Sequence, residues 1–257
     1  MSAFQEMVFA AFGLIFGSFL TVLVHRTPLR ESVIWGRSRC PACGIQIRAR
    51  DNIPLASWLA LRGRCRDCGA RISVRYPLTE LAGGALFAGA AWAFPGTYVA
   101  AAMAVFLNVM LALALIDLEH RILPNAVVYP SLALFALVVM TGGLTGRHMD
   151  LVGAAIGFGA LGGGLLLVAL ARPGAMGMGD VKLAALIGLV LGVQGLRYVA
   201  VAASLALLAG GIRGVVALLA GRSRKDAIQF GPFLSAGAVV AAFLASRVAG
   251  AYLSLFR

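Results

Sequence analysis

Charge is what this chain has least of. Only 12% of its 257 residues are charged, about half the share of a typical soluble domain. Acids are the scarcer sign, with 10 aspartates and glutamates against 22 lysines and arginines. No internal repeat stands out, and no Gly-x-Gly-x-x-Gly nucleotide fingerprint is present. The first apolar run lacks the basic n-region of a cleavable signal peptide and carries Glu6 there instead. Hydrophobic residues make up 61% of the chain, too much apolar surface for one water-soluble core to bury. Most of it must face lipid. The composition therefore predicts an all-α polytopic membrane protein. The net charge of +12 would suggest nucleic acid in a soluble protein. In a membrane protein it reads as the excess of basic residues in cytoplasmic loops, so no nucleic-acid partner is expected.

Length and punctuation predict about eight transmembrane helices, with seven and nine as the neighbouring counts. The runs are Phe4–Val24, Leu78–Phe94, Thr97–Ile116, Ala126–Thr141, Leu151–Ala171, Lys182–Val193, Tyr198–Ala220 and Pro232–Leu253. The sixth is short for a full crossing, which needs roughly 17–25 residues. Eleven arginines between Arg26 and Arg75 meet only Glu31, Asp51 and Asp67, which predicts a cytoplasmic loop and an external N-terminus. Alternation then puts 117–125, 172–180 and 221–231 on the cytoplasmic side; the last holds Arg222, Arg224 and Lys225. The expected organisation is a first span (1–24), a cytoplasmic four-cysteine domain (25–77) and a membrane core (78–257).

All four cysteines lie in that basic loop, as Cys40-Pro41-Ala42-Cys43-Gly44 and Cys65-Arg66-Asp67-Cys68-Gly69. Two CxxC pairs, each followed by glycine, suit two tight knuckles whose thiolates converge on one tetrahedral metal, with zinc the expected ion. Four ligands leave no open position, so that zinc is structural. Disulfides and a redox-active pair are the competing readings, and a reducing cytoplasm disfavours the first. Between the knuckles, Asp51–Leu59 is amphipathic and carries Trp58. It either lies on the membrane surface or packs on the zinc core.

Two acids occupy matching positions. Asp117 ends one apolar run, and Asp180 sits in the turn Gly174-Ala175-Met176-Gly177-Met178-Gly179-Asp180-Val181-Lys182-Leu183. They are 63 positions apart, at the cytoplasmic ends of two spans. Ionisable groups at membrane depth point to function. Two carboxyls within hydrogen-bond reach share a proton, one acting as base toward water and the other as donor to a carbonyl, as in aspartic proteases. Gly177 and Gly179 allow close backbone approach. Lys182 either biases the local potential or anchors to headgroups. Each acid also has a bland reading: Asp117 as a cap or a partner of Arg121, Asp180 as a helix cap. Glu80, just inside the second run, is a further candidate for the same cleft. Glu119 reads as solvated, and Asp150 falls on the opposite side.

The ordered set of motifs resembles the type IV prepilin peptidases. It comprises Gly17-Ser18-Phe19-Leu20, His25-Arg26, the two CxxC knuckles, Asp51-Asn52-Ile53-Pro54, Arg75-Tyr76-Pro77 and Glu80. It continues with Asp117, Leu123-Pro124, Gly177-Met178-Gly179-Asp180-Val181-Lys182-Leu183 and Phe230-Gly231-Pro232-Phe233-Leu234. The resemblance runs from about Gly17 to Leu234. It implies a bacterial inner-membrane aspartic endopeptidase, with Asp117 and Asp180 as the catalytic pair. Such enzymes cleave the leader of type IV prepilins, or of type II secretion pseudopilins, after glycine on the cytoplasmic side. It also implies N-methylation of the new N-terminal residue from S-adenosylmethionine. Thr21 and Asn125 depart from the family's usual asparagine and aspartate. The first lies in the region tied to methylation, so that half follows the pattern less closely.

Rival readings are an ion-coupled transporter using the two aspartates as ion ligands, a non-catalytic assembly factor that docks partners through the zinc module, and a peptidase without methylation.

Overall fold

The computed structural model describes residues 3–147, 149–172, 176–220 and 229–254. Gly174, Ala175, Arg222, Arg224 and Lys225 lie outside the described residues. The chain forms two compact units, residues 1–108 and 109–257. Helix α4 (Thr97–His120) belongs to both.

In the first unit, α1 (Ala3–Arg26) packs against α3 (Arg75–Ala93) through glycines. A Cβ on Gly13 would stand 2.6 Å from the Gly83 carbonyl oxygen, and one on Gly17 would stand 2.6 Å from Glu80 Cα. Rising numbers on one helix meet falling numbers on the other, so the pair is antiparallel. Small residues let helix backbones approach where lipid supplies no hydrophobic drive. Phe87 fills the adjacent space against Phe16, with ring centroids 5.2 Å apart. Buried Asn108 spends its amide locally, donating to the Ala104 carbonyl at 3.1 Å.

Between α1 and α3 lies a module with a three-residue 3₁₀ turn (Ala49–Asp51) and the short α2 (Ala56–Ala60). Its amphipathic stretch packs inward at Trp58. The indole N–H donates to the Ile72 carbonyl at 3.3 Å, and the ring closes over Gly63, where a Cβ would be 2.9 Å away. Asp51 accepts a bidentate hydrogen-bonded pair from Arg66, at 2.7 and 2.9 Å. That guanidinium holds the Asp51 carboxyl below the usual carboxylate range. Asp67 pairs with Arg48 at 3.1 Å. Two of the three acids opposing the arginines are thus committed to folding the module.

The second unit is built around α8 (Met178–Gly192), which packs on α5 (Asn125–Leu144), α6 (Leu151–Gly157), a π-helical turn (Phe158–Gly163), α7 (Gly164–Ala171), α9 (Leu196–Leu219) and α10 (Gly231–Ser254). Ten of the residues of α8 are buried. At 15 residues it is about 22 Å long, short of a roughly 30 Å hydrocarbon core. Glycines carry its tightest contact. Gly188 and Gly192 press on the backbone of Gly157 and Gly153, and Gly162 meets Ala185. Asp150 caps α6, accepting from the amides of Val152 (3.0 Å) and Gly153 (2.9 Å).

No strand occurs among the described residues; Arg39–Gln46 and Arg64–Arg71 form isolated bridges in the module. All eight predicted runs are helical rods, counting α6, the π turn and α7 as one. Five are long and apolar enough to cross a bilayer: Ala3–Arg26, Thr97–His120, Asn125–Leu144, Leu151–Ala171 and Leu196–Ala217. The chain is an all-α, multi-pass membrane protein.

Candidate active site and metal centre

Asp117 lies inside α4, a full turn before its end at His120, where the sequence placed a loop. The helix runs on because Leu118, Glu119 and His120 contain no breaker. It stops at Arg121, whose φ is +55° and whose amide closes on the Asp117 carbonyl at 2.8 Å. Asp117 is 5% exposed. Two groups just before and at the start of α10 hold it. The Gly231 amide donates to its carboxylate, and Gln229 Nε2 donates to its main-chain carbonyl at 2.7 Å. Gly231 has no room for a side chain: a Cβ would be 2.6 Å from Asp117 Oδ2.

Asp180 is the third residue of α8, and Gly177 is its N-cap. The half-buried Asp180 carboxylate reaches back to the Gly177 amide, half of a capping box. Leu123 fits between the two acidic ends. It packs 2.9 Å from where a Gly179 Cβ would be, and 3.3 Å from where a Gly231 Cβ would be. The Asp117 and Asp180 carboxyls are close enough to interact electrostatically. Each therefore rests against the N-terminal end of a helix, where amides and the helix dipole favour negative charge.

Lys182 is engaged by α5. Its Nζ donates to Asn125 Oδ1 at 2.9 Å and stands 4.7 Å from the centroid of the Tyr129 ring. Both partners are neutral, and both belong to α5. Asn125, a departure from the resembled pattern, is thus the residue Lys182 grips.

Glu80, in the first unit, is 9% exposed and accepts the Leu55 amide at 2.8 Å. Leu55 has φ +59° and ψ −50°, and the Ala56 amide closes on the Pro54 carbonyl at 2.6 Å. This is a γ-turn in its strained form, with a buried carboxylate holding its central N–H. Glu80 works as a tether between α3 and the module.

In the module the two knuckles repeat one geometry. The Cys40 amide donates to Ile45 and the Gly44 amide to Cys40; the Cys65 amide donates to Ala70 and the Gly69 amide to Cys65. Gly44 and Gly69 take φ +71° and +70°, which glycine alone adopts freely. The four sulfur atoms lie within 4.8 Å of one another, and Cys40 and Cys68 are 3.8 Å apart. Tetrahedral thiolates about 2.3 Å from one ion would be about 3.8 Å apart. The amides of Cys43 and Ala42 point at Cys40 and pull its thiol down to about 7. The four cysteines are free thiols, and the cluster can hold a metal ion.

Sequence reasoning named the Phe230-Gly231-Pro232 and Leu123-Pro124 runs only as motifs. It missed Gln229, Leu123 and Gly231 as the groups that wrap the acids. Glycine density hinted at close approach without saying to what.

Two family descriptions match this chain. The Bacterial Peptidase A24 N-terminal domain matches residues 11–94, and the Type IV leader peptidase family matches residues 104–212. The chain is 37% identical to a "Prepilin leader peptidase/N-methyltransferase" of Stutzerimonas stutzeri, over 95% of this chain and 92% of the relative. It is 34% identical to the protein of that name in Bacillus subtilis, over 95% and 96%. For the Pseudomonas aeruginosa relative the values are 36%, 94% and 91%. No solved structure matches the chain.

Proposed function

This chain belongs to the type IV leader peptidase family, and on that premise we propose that it is a membrane aspartic endopeptidase that cleaves prepilin leaders. Its substrates are type IV prepilins or type II secretion pseudopilins, cut after a glycine on the cytoplasmic face of the bacterial inner membrane. The observation that carries this reading is the approach of Asp117 and Asp180, two carboxyls from helix ends far apart in sequence.

The chemistry follows from their proximity. One carboxylate takes a proton from water as its oxygen attacks the scissile carbonyl carbon. The other, protonated, gives its proton to the carbonyl oxygen. Collapse of the tetrahedral intermediate breaks the C–N bond: the amine leaves with the proton first taken from water, and one hydroxyl returns its proton to the carboxylate that had donated it as the carbonyl re-forms. The buried flank of Asp117 and the Leu123 wedge limit which way the acids can turn. Gly177 and Gly179 keep the α8 end narrow beside them, and Lys182, fastened to Asn125, fixes the start of α8 against α5.

Cys40, Cys43, Cys65 and Cys68 would hold zinc, which supplies structure because all four positions are filled by protein. A second activity accompanies cleavage: N-methylation of the new N-terminal residue, for which S-adenosylmethionine supplies the methyl group. Support for it comes from the bifunctional name its relatives carry.

The test is mass spectrometry of the substrate N-terminus. Wild type, Asp117→Asn and Asp180→Asn are incubated in membranes with a prepilin and S-adenosylmethionine. Wild type should remove the leader and add one methyl, and both variants should leave the leader intact. Cleavage by either variant, at normal protein level, overturns the mechanism.

A further inference from the structure

The most exposed large apolar side chains of the first unit outside its helices are Ile34, at 83%, and Trp35, at 80%. Leu29, in the same loop, is 55% exposed. Such a cluster at the tip of a short loop means something in a folded protein. The loop is not loose chain. Arg26, the last residue of α1, folds its guanidinium into it. Its Nη1 donates to the carbonyls of Ser32 (3.0 Å), Trp35 (3.2 Å) and Gly36 (3.2 Å), and Nη2 reaches the Arg37 carbonyl at 3.4 Å. The Trp35 amide in turn donates to Ser32 Oγ at 3.0 Å. One cation with only neutral carbonyl partners therefore fixes the backbone behind the two apolar side chains.

That clamp also fixes where the loop is. Arg26 ends a 24-residue apolar helix able to cross a bilayer. The Trp35 backbone lies within one arginine side chain's reach of that end. It therefore stands at the level where hydrocarbon gives way to headgroups, the depth that tryptophan favours. Around the tip, Arg30, Arg37 and Arg39 are exposed, opposed by the single acid Glu31. Trp58, the other tryptophan of the module, is turned inward onto Ile72 and Gly63 and is not available for this role.

We infer that the Leu29–Arg39 loop is a pre-formed membrane-surface anchor, with Ile34 and Trp35 seated among anionic phospholipids and its arginines on their phosphates. Apolar area and basic charge act together in such anchors. The anchor holds the cysteine module down on the bilayer beside α1, a restraint separate from the Glu80 tether on α3.

The intact protein is placed in nanodiscs of phosphatidylglycerol whose acyl chains carry bromine just below the headgroups, which quenches indole emission on contact. The difference between wild type and Trp35→Phe isolates Trp35 and leaves Trp58 and Trp92 untouched. Trp35 is so exposed that phenylalanine there does not disturb the fold; zinc content and Trp35→Tyr serve as checks. The expected result is loss of the Trp35 emission with brominated lipid, and no loss with aqueous iodide. Loss with iodide alone would place the loop in water and overturn the inference. Protection from both quenchers would mean that protein, a second copy or a substrate helix, covers the tip, and would overturn it equally.

Discussion

Replacing Gly231 by alanine adds one methyl group, and the structure says where it goes. Its Cβ would be 2.6 Å from Asp117 Oδ2 and 3.3 Å from Leu123 Cδ1. Relaxed contacts between non-bonded heavy atoms need about 3.5 Å, so the carboxylate must retreat by nearly 1 Å. Gly231 does not use a positive φ, and alanine suits a helix better than glycine does, so local stability holds. The displaced atom belongs to the proposed catalytic pair, and a misplacement of about 1 Å costs on the order of 100-fold in rate. Cleavage of a prepilin in proteoliposomes, followed by mass spectrometry at saturating substrate, should therefore show kcat lowered about 100-fold, with the melting temperature close to wild type. Gly211→Ala in α9, where an added Cβ meets nothing within 4 Å, is the control and should cleave normally. A Gly231→Ala enzyme with wild-type kcat would refute the reasoning, because it would mean that the Asp117 carboxylate can move without cost.

Three further outcomes follow from other parts of the molecule. In metal-free protein, Cys40 should remain reactive toward iodoacetamide down to about pH 7 and lose reactivity below it, because its depressed pKa keeps the thiolate above that value; mass mapping of the alkylated site reads this, and equal reactivity of all four thiols would contradict it. Glu80→Ala leaves the Leu55 amide without its acceptor, at a cost of about 1–3 kcal/mol, while Leu55→Gly relieves a strained turn worth roughly 1–3 kcal/mol. Hydrogen exchange should therefore show the module less protected in the first variant and at least as protected in the second. Gly188→Ala sets a methyl group against the Gly157 backbone, and should lower the melting temperature of the protein in lipid by an amount corresponding to about 1–3 kcal/mol.

The sequence-level reading succeeded where the signal was local or compositional. Eight apolar runs became eight helical rods, and CxxC-Gly twice over became two knuckles with the same turn. Loop charge led it to expect Asp117 and Asp180 at helix ends on one side, and in the structure the two carboxyls are close enough to interact electrostatically. It left Asp51–Leu59 open between membrane surface and module core. The structure seats Trp58 inward, a choice decided by Gly63, a residue outside that stretch. Glu80 read as a further candidate for the cleft of the two aspartates, yet its carboxylate is taken by the Leu55 amide, as that of Asp51 is by Arg66. The groups around Asp117 were the least legible. Gln229 is 112 positions away, and nothing in a local pattern says which carbonyl a distant amide will meet. Nor does composition disclose the π turn at Phe158–Gly163, which packs on α8.

The antiparallel contact of α1 and α3 has a topological consequence. Gly13 faces Gly83 and Gly84, and Gly17 faces Thr79 and Glu80; continuing that register brings Val22 beside Arg75. The chain therefore leaves the helical pair and returns to it at nearly the same point. Everything between is a cassette hung from a closed stem. Because the entropy of closing a loop grows only logarithmically with its length, and glycine packing holds the stem, the length of the insert adds little to the cost of closure. A hairpin of this kind can gain, lose or exchange its load while the two helices below keep their grip.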